Sequence, residues 1–485
     1  MSAAVIEWSV VLTYFALTLW LGSRLGRDQR DLEDYFLAGR RTPWFAASLS
    51  IVGTETSTLT FVGVPAIAFT GDLGFLQVAA GYVLGRFLVA WWLVPAYFEG
   101  TISTAYELLA HRFGDPVRRF SSLVFLVSRV LADGVRLFAT ALVLQALLPM
   151  SLWLAILLVT GVTLSYTMRG GLRAVIWNDA VQLVVYAGGA GLAAWFLLRD
   201  LPGGWPAASG ILAAAGKLRV FDFGWDWSRP YTFYAGLVGG AVLTMATHGT
   251  DQMFVQRILA CRSARDARKA VVASGLIVFA QMVLFLFIGS LLFAFYEAFP
   301  PASPFASADQ VFARFIATEM PPGLGGLVIA AVFAAAMSTL SSSMSSLASA
   351  STFDFRRARG PSGDGALRRS RTLTAAWAIA LAGVAALARA WGSVLEAGLT
   401  ITSITFGPVL GVFLLAVLGR RIRAGTVIGA MVVGLLGATG ARLFTSLAWT
   451  WLTPLGAVVT MGLGWLLGRS ETFEEETGRR NSASP

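Results

Sequence analysis

Residues 333 to 355 read FAAAMSTLSSSMSSLASASTFDF, with eight serines and two threonines among small and apolar neighbours. Written on a helix, Ala335, Ser338, Thr339 and Ser342 share one face, while Ser341, Ser345, Ser346 and Ser349 fan around the adjacent one. Hydroxyls at this spacing, with one exposed carbonyl, suit a small hard cation such as Na+, which takes oxygen ligands. They need a partner, a second and locally unwound segment whose carbonyls come alongside. Close packing is the other use of such a stripe, because small residues let transmembrane helices approach and serine bonds back to its own backbone. Alanine and glycine would serve packing alone equally well, and the two uses can divide the helix between them.

The segment SIVGTETSTLTFVGVPAIAF, residues 50 to 69, offers that partner. Glu55 stands there among Gly53, Thr54, Thr56, Ser57 and Thr58, with Gly63 and Pro65 behind. This β-branched, Gly- and Pro-bearing stretch is poor helix material. It predicts an unwound segment whose freed carbonyls coordinate Na+ or H+. The plainer alternative is a Thr-rich kink sealed by neighbouring helices, with Glu55 protonated. A charge at the centre of a membrane helix costs about 2.5 to 3.5 kcal/mol or more, so every charge in apolar sequence is a functional candidate. The others are Arg86, Asp179, Asp251 and the set Arg129, Asp133 and Arg136. Those last three are spaced i, i+4 and i+7 on one helix face. Their sum is one positive charge, which can draw an anionic solute group or lock the helix to its neighbours.

The elements that must carry these residues are read from composition. Of 485 residues 56% are hydrophobic and only 13% charged, against about a quarter charged in soluble proteins. With a mean hydropathy of +0.69 the chain belongs in a membrane. Thirteen apolar runs, from residues 4–23 to 449–468, each match the roughly 20 residues that a bilayer core of about 30 Å requires. The first lacks a small-residue cleavage site and reads as a retained anchor. The expected fold class is all-α and polytopic, with thirteen transmembrane helices. Alternate loops, the fullest being 24–43, 257–269 and 356–371, hold 27 of the 37 basic residues, the opposite loops seven, and three arginines lie inside helices. Basic loops stay cytoplasmic, which places the N-terminus outside and the C-terminus inside. The net charge of +10 thus faces anionic lipid, and nucleic acid is not an expected partner. One cysteine, Cys261, and two histidines, His111 and His248, are too few for a disulfide or a thiol or zinc site. No metalloprotease, hydrolase or Walker motif occurs, so no enzyme is expected.

Residues 5 to 445 resemble the solute:sodium symporter family. The cues are DYFLAGRRTPWF, FVGVPAIAF, TAYELLAHRFG, YTMRGGLRAVIWNDAVQ, GTDQMFVQRILA and MSTLSSSMSSLASASTFDF, in family order. The resemblance implies a LeuT-type five-plus-five inverted repeat with one helix before and two after. The implied segments are a first helix and loop (1–43), a first repeat (44–198), an extracellular loop (199–230), a second repeat (231–420), two peripheral helices (421–468) and a disordered cytoplasmic tail (469–485). It further implies a first Na+ held by carbonyls of Gly53, Thr56 and Ala335 and hydroxyls of Ser338 and Thr339. Relatives with a second Na+ place ligands at positions matching Asp179, Ser338, Ser341 and Ser342.

From the charge reading and the resemblance together, the solute is expected to meet Glu55, Thr60, Gln77, Arg136, His248, Thr400 and Ser403. Where sugar-transporting members carry an acid and a lysine, this chain offers only Gln77 and Gln281, which disfavours a glucose-type site. The implied function is sodium-coupled import of a small polar solute by alternating access, with one or two Na+ per solute. A carboxylate, an amino acid, a sugar or a sugar acid fits that description. The implied setting is the bilayer of a bacterial inner membrane, and a monomer is expected. A proton-coupled symporter using Glu55 and a non-transporting solute sensor stand as alternatives.

Overall fold

The computed structural model describes residues 3–26, 29–301, 303–321, 323–355, 364–388, 394–419 and 422–482. Its first helices are α1 (Ala3–Leu25), α2 (Trp44–Glu55), α3 (Thr58–Thr70), α4 (Phe75–Leu88), α5 (Asp115–Leu147) and α6 (Leu152–Asp200). There follow α7 (Gly240–Thr250), α8 (Gln252–Leu259), α9 (Ala264–Ala298) and α10 (Leu324–Ala350). The last are α11 (Asp364–Leu387), α12 (Val394–Val417), α13 (Ala424–Phe444) and α14 (Trp449–Ser482).

Among the described residues ten helices are long and apolar enough to cross a bilayer, and α2 with α3, bent by 66°, makes an eleventh. The expected thirteen are not reached on length and apolarity, for a physical reason. α6 runs 49 residues as one helix, about 73 Å at ~1.5 Å per residue, more than twice a hydrocarbon core. Gly171 interrupts it with φ +54°, a left-handed conformation that glycine takes without strain. A Cβ there would lie 2.7 Å from the carbonyl of Tyr35. α7 is the other shortfall, since even with the π-helical turn Ala235–Gly239 ahead of it the segment is short.

α10 is the axis of the molecule. Every residue from Val328 to Ala350 is buried, so the helix is enclosed on all sides, and its small residues let α1, α2, α5, α6 and α11 approach together. The basic loops gather at one end. Thr42 bridges to Cys261, Arg262 Nε donates to the carbonyl of Arg41 at 3.1 Å, Arg371 donates to Gln29, and Gly26 packs on Arg169. Residues 27–28, 356–363 and 420–421 of those loops lie outside the described residues. Burial pushes the Cys261 thiol up to about 12, so it is inert as a nucleophile or ligand.

Two expectations change. Arg257, counted as a loop charge, is fully buried at the end of α8. Its neighbours Gln252 and Gln256 are fully buried as well, each donating to a serine of α10. The segment is a wedge under the bundle and not a solvated loop. The tail also differs, because α14 continues to Ser482, through most of the stretch expected to lack structure.

Candidate functional site

The break between α2 and α3 falls at Thr56 and Ser57, both extended (ψ 102° and 171°). Ser57 and Thr60 close a capping box that starts α3 afresh, so the helix resumes despite Pro65. The break faces α10. The Ser338 hydroxyl donates to the carbonyl of Gly53 at 2.5 Å and lies 3.3 Å from that of Ala335. The Thr339 hydroxyl lies 3.1 Å from the carbonyl of Thr54, 3.5 Å from that of Thr56 and 3.3 Å from that of Ala335. Each of the five oxygens expected to hold the first Na+ therefore lies within hydrogen-bond distance of at least one other, with the carbonyl of Ala335 shared by both hydroxyls. The hydroxyl protons can rotate away to leave lone pairs, which gives an uncharged oxygen cage suited to a hard monovalent cation. Gln281 Nε2 donates to the Thr56 hydroxyl at 2.8 Å, holding the unwound segment in place.

One turn along, Asp179 of α6 is fully buried. Its Oδ2 accepts from Ser50 at 2.6 Å, Thr54 at 3.2 Å and Arg257 at 3.0 Å. Arg257 also donates to Ser342, and the Ser342 hydroxyl lies 2.9 Å from that of Thr54. The other carboxylate oxygen, Oδ1, has no hydrogen-bond partner. Ser341 sits on the next stripe and bonds back to the carbonyl of Ser338 at 3.0 Å. Gly53 is what permits this closeness, for a Cβ there would lie 2.9 Å from the carbonyl of Asp179. The sequence reading missed Arg257, Ser50 and Thr54. Spacing could have flagged Ser50 and Thr54, which lie on one face of α2 four residues apart.

Beside the break lies a cavity of about 810 Å³, lined by Glu55, Thr60, Arg136, His248 and Thr400 among the expected residues. Gln77 and Ser403 are not on it. Gln77 sits in the first turn of α4 and is spent on loop backbone, donating to the carbonyl of Tyr231 and accepting from the amide of Asp222. Ser403 turns into the helix packing, where its carbonyl accepts from Thr453, and Thr402 lines the cavity in its stead. Aromatic walls come from Phe75, Tyr82 and Phe254. The cavity reaches the surface at Asp72, Ser228 and Arg442, at the end opposite the basic loops.

Two charge clusters border it. Glu55 forms a close ion pair with Arg86, which is fully buried, and Arg86 Nη2 lies 3.0 Å from His248 Nε2. His248 stands 3.5 Å from Glu55 and stacks on Phe254 at 4.2 Å between centroids. On the other wall Asp133 accepts from Arg136 at 2.9 Å and Arg129 at 3.4 Å, while Arg129 pairs closely with Asp251. The positive charge expected to remain on this cluster is therefore neutralised, because Asp251 reaches it from a different helix. Arg136 is the member that is 22% exposed.

The family model described as the sodium:solute symporter family matches residues 35–437. A sodium/sialic acid symporter of Proteus mirabilis is 28% identical over 93% of this chain and 92% of its own length. The human sodium/iodide cotransporter is 30% identical over 84% of this chain and 64% of its own. Among solved structures, a substrate-bound, outward-open Na+-coupled sialic acid symporter superposes with a TM-score of 0.89 at 26% identity, covering 96% of this chain and 98% of that one. A nucleobase-cation-symport-1 transporter shares the fold at a TM-score of 0.59 and 12% identity. The chain that carries this broken span, oxygen cage and adjoining cavity is thus matched along most of its length, and the protein belongs to the sodium:solute symporter family, with Na+ as its coupling ion.

Proposed function

We infer that this symporter imports a small carboxylate-bearing solute by alternating access. The observation that carries the reading is Arg136, half-turned into the cavity and held by Asp133 through one guanidinium nitrogen. Its remaining donors suit a carboxylate, which a planar guanidinium grips at two points. The names of similar proteins, for sialic acid, iodide and monocarboxylates, agree in being anions or acids. Na+ binds at Gly53, Thr56, Ala335, Ser338 and Thr339, and ordering that junction completes the neighbouring solute site. Each ligand then raises the other's affinity by a reciprocal coupling of typically 1 to 3 kcal/mol. No catalytic step is needed.

An anionic solute makes a second ion consequential. A tenfold Na+ gradient supplies about 1.4 kcal/mol per ion and 100 mV about 2.3 per net charge. One Na+ with one anion moves no charge and concentrates the solute only about tenfold, whereas two ions give about 5 kcal/mol, roughly 5,000-fold. The unpartnered Asp179 Oδ1, on a carboxylate that shares Thr54 and Arg257 as partners with Ser342, supports a second ion there. Asp179→Asn should lower the measured Na+-to-solute ratio from two to one. A ratio that stays unchanged in a correctly folded variant removes Asp179 from the ion path.

The segment boundaries 1–43, 44–198, 199–230, 231–420, 421–468 and 469–485 follow from this reading, as do thirteen crossings in two inverted halves. So do an external N-terminus, a cytoplasmic C-terminus, a bacterial inner membrane and a monomeric carrier. Uptake into proteoliposomes under an inward Na+ gradient, with choline as the control, tests the reading against carboxylates, amino acids and sugars. Carboxylate accumulation that needs Na+ is the expected result. For Arg136→Ala the half-saturating solute concentration should rise about ten- to hundredfold. Equal accumulation in choline, or carboxylate uptake indifferent to Arg136, overturns the proposal.

A further inference from the structure

A second concavity, of about 300 Å³, shares no lining residue with the first and includes strongly exposed tryptophans. It is lined on one side by Trp91 and Trp92 of α4's continuation, with Pro95 and Ala96, and on the other by Ala416 and Val417 at the end of α12. Both walls are span ends on the side of the basic loops, so the groove sits at one membrane interface. A π-helical turn covers Val89–Leu93. The extra residue widens the turn, and Trp91 and Trp92 stand 75% and 50% exposed. Neighbouring Leu418 is 55% exposed. Such a surface faces acyl chains, and tryptophan is enriched where chains meet headgroups.

The rim carries two charges of opposite sign. Glu99 and Arg112 face each other at 4.0 Å, at the limit of an ion pair, and are 68% and 41% exposed. Neither charge is desolvated, and the contact is too long for a hydrogen bond, so both keep donors or lone pairs for another partner. We propose that this groove binds one zwitterionic phospholipid whose headgroup bears a primary ammonium, its phosphate on Arg112 and its ammonium on Glu99. The two rim charges match that headgroup pole for pole. An anionic glycerol headgroup would meet Glu99 with like charge, and a choline headgroup has no N–H to donate. A soluble phosphate has no use for an apolar floor that opens sideways into the bilayer.

The test is the lipid that stays with purified protein. The full chain is reconstituted in nanodiscs of equimolar phosphatidylethanolamine, phosphatidylcholine and phosphatidylglycerol, extracted into mild detergent, and weighed by native mass spectrometry. A single adduct enriched in phosphatidylethanolamine is expected. Glu99→Gln should erase the preference for phosphatidylethanolamine over phosphatidylcholine, and Arg112→Gln should lower adduct occupancy about three- to fivefold. Trp91→Ala should lower all three lipids together. Enrichment of phosphatidylglycerol, equal retention of all three, or an adduct indifferent to both rim variants would each overturn the assignment. A melting curve of each variant in detergent confirms that a lost adduct comes from a folded protein.

Discussion

Ser338→Ala raises the Na+ concentration for half-maximal uptake by about ten- to hundredfold, the equivalent of losing one interaction with a charged partner. The reason is that no carboxylate belongs to this cage. In the proposed site five neutral oxygens share the cation, and Ser338 is the one that already reaches Gly53 across the break at 2.5 Å. With alanine the carbonyl of Gly53 loses its only donor from α10 and points at a methyl group, while Thr339 keeps its place. Solute affinity measured at saturating Na+ should move far less, because the ion and the solute contact different atoms. Isotope uptake across a Na+ series checks both quantities. A sodium response equal to that of the unaltered protein would remove Ser338 from the ion site.

The two segments that meet at the break were legible in the sequence for a definite reason, whereas the ligand set proposed for them came from the family resemblance. Bilayer thickness enforces long apolar helices, so a cluster of hydroxyls and a Gly, Thr and Pro-rich stretch are conspicuous exceptions, and the helical period gives their faces. What spacing along one helix cannot give is the partner contributed by another. Asp251 cancels the charge on Arg129 from the start of α8, and nothing in the spacing of Arg129, Asp133 and Arg136 announces it. Arg257 was misplaced for a related reason, since counting basic residues by loop assumes that loops are wet. Ser403 and Thr402 are neighbours about 100° apart on their helix, and only the packing of α12 against α14 decides which of them faces the cavity. Gln77 failed because the first turn of a helix must also serve the backbone beside it.

Arg86 offers the severest test of the site's other half. It is fully buried, beyond the reach of water, and its charge is met by Glu55 with His248 at hand. Breaking a buried pair from one side typically costs 3 to 5 kcal/mol, because the surviving charge is stranded. Glu55→Gln alone should therefore reduce the yield of folded, monodisperse protein sharply, and Arg86→Leu should do the same. The double variant should recover most of that loss, since neither charge remains, and a thermal-unfolding cycle should report a coupling of about 2 kcal/mol or more between the two sites. Uptake should not recover with it. Glu55 is 17% exposed and presents a carboxylate edge to the cavity, which repels the acid end of a solute and accepts its hydroxyl or amine donors. For the carboxylate solute proposed above, the acid end is thereby turned toward Arg136, which also lines the cavity, and without Glu55 that orientation is lost. A Glu55→Gln protein that folds and transports like the unaltered one would show that the pair neither holds the bundle nor orients the cargo.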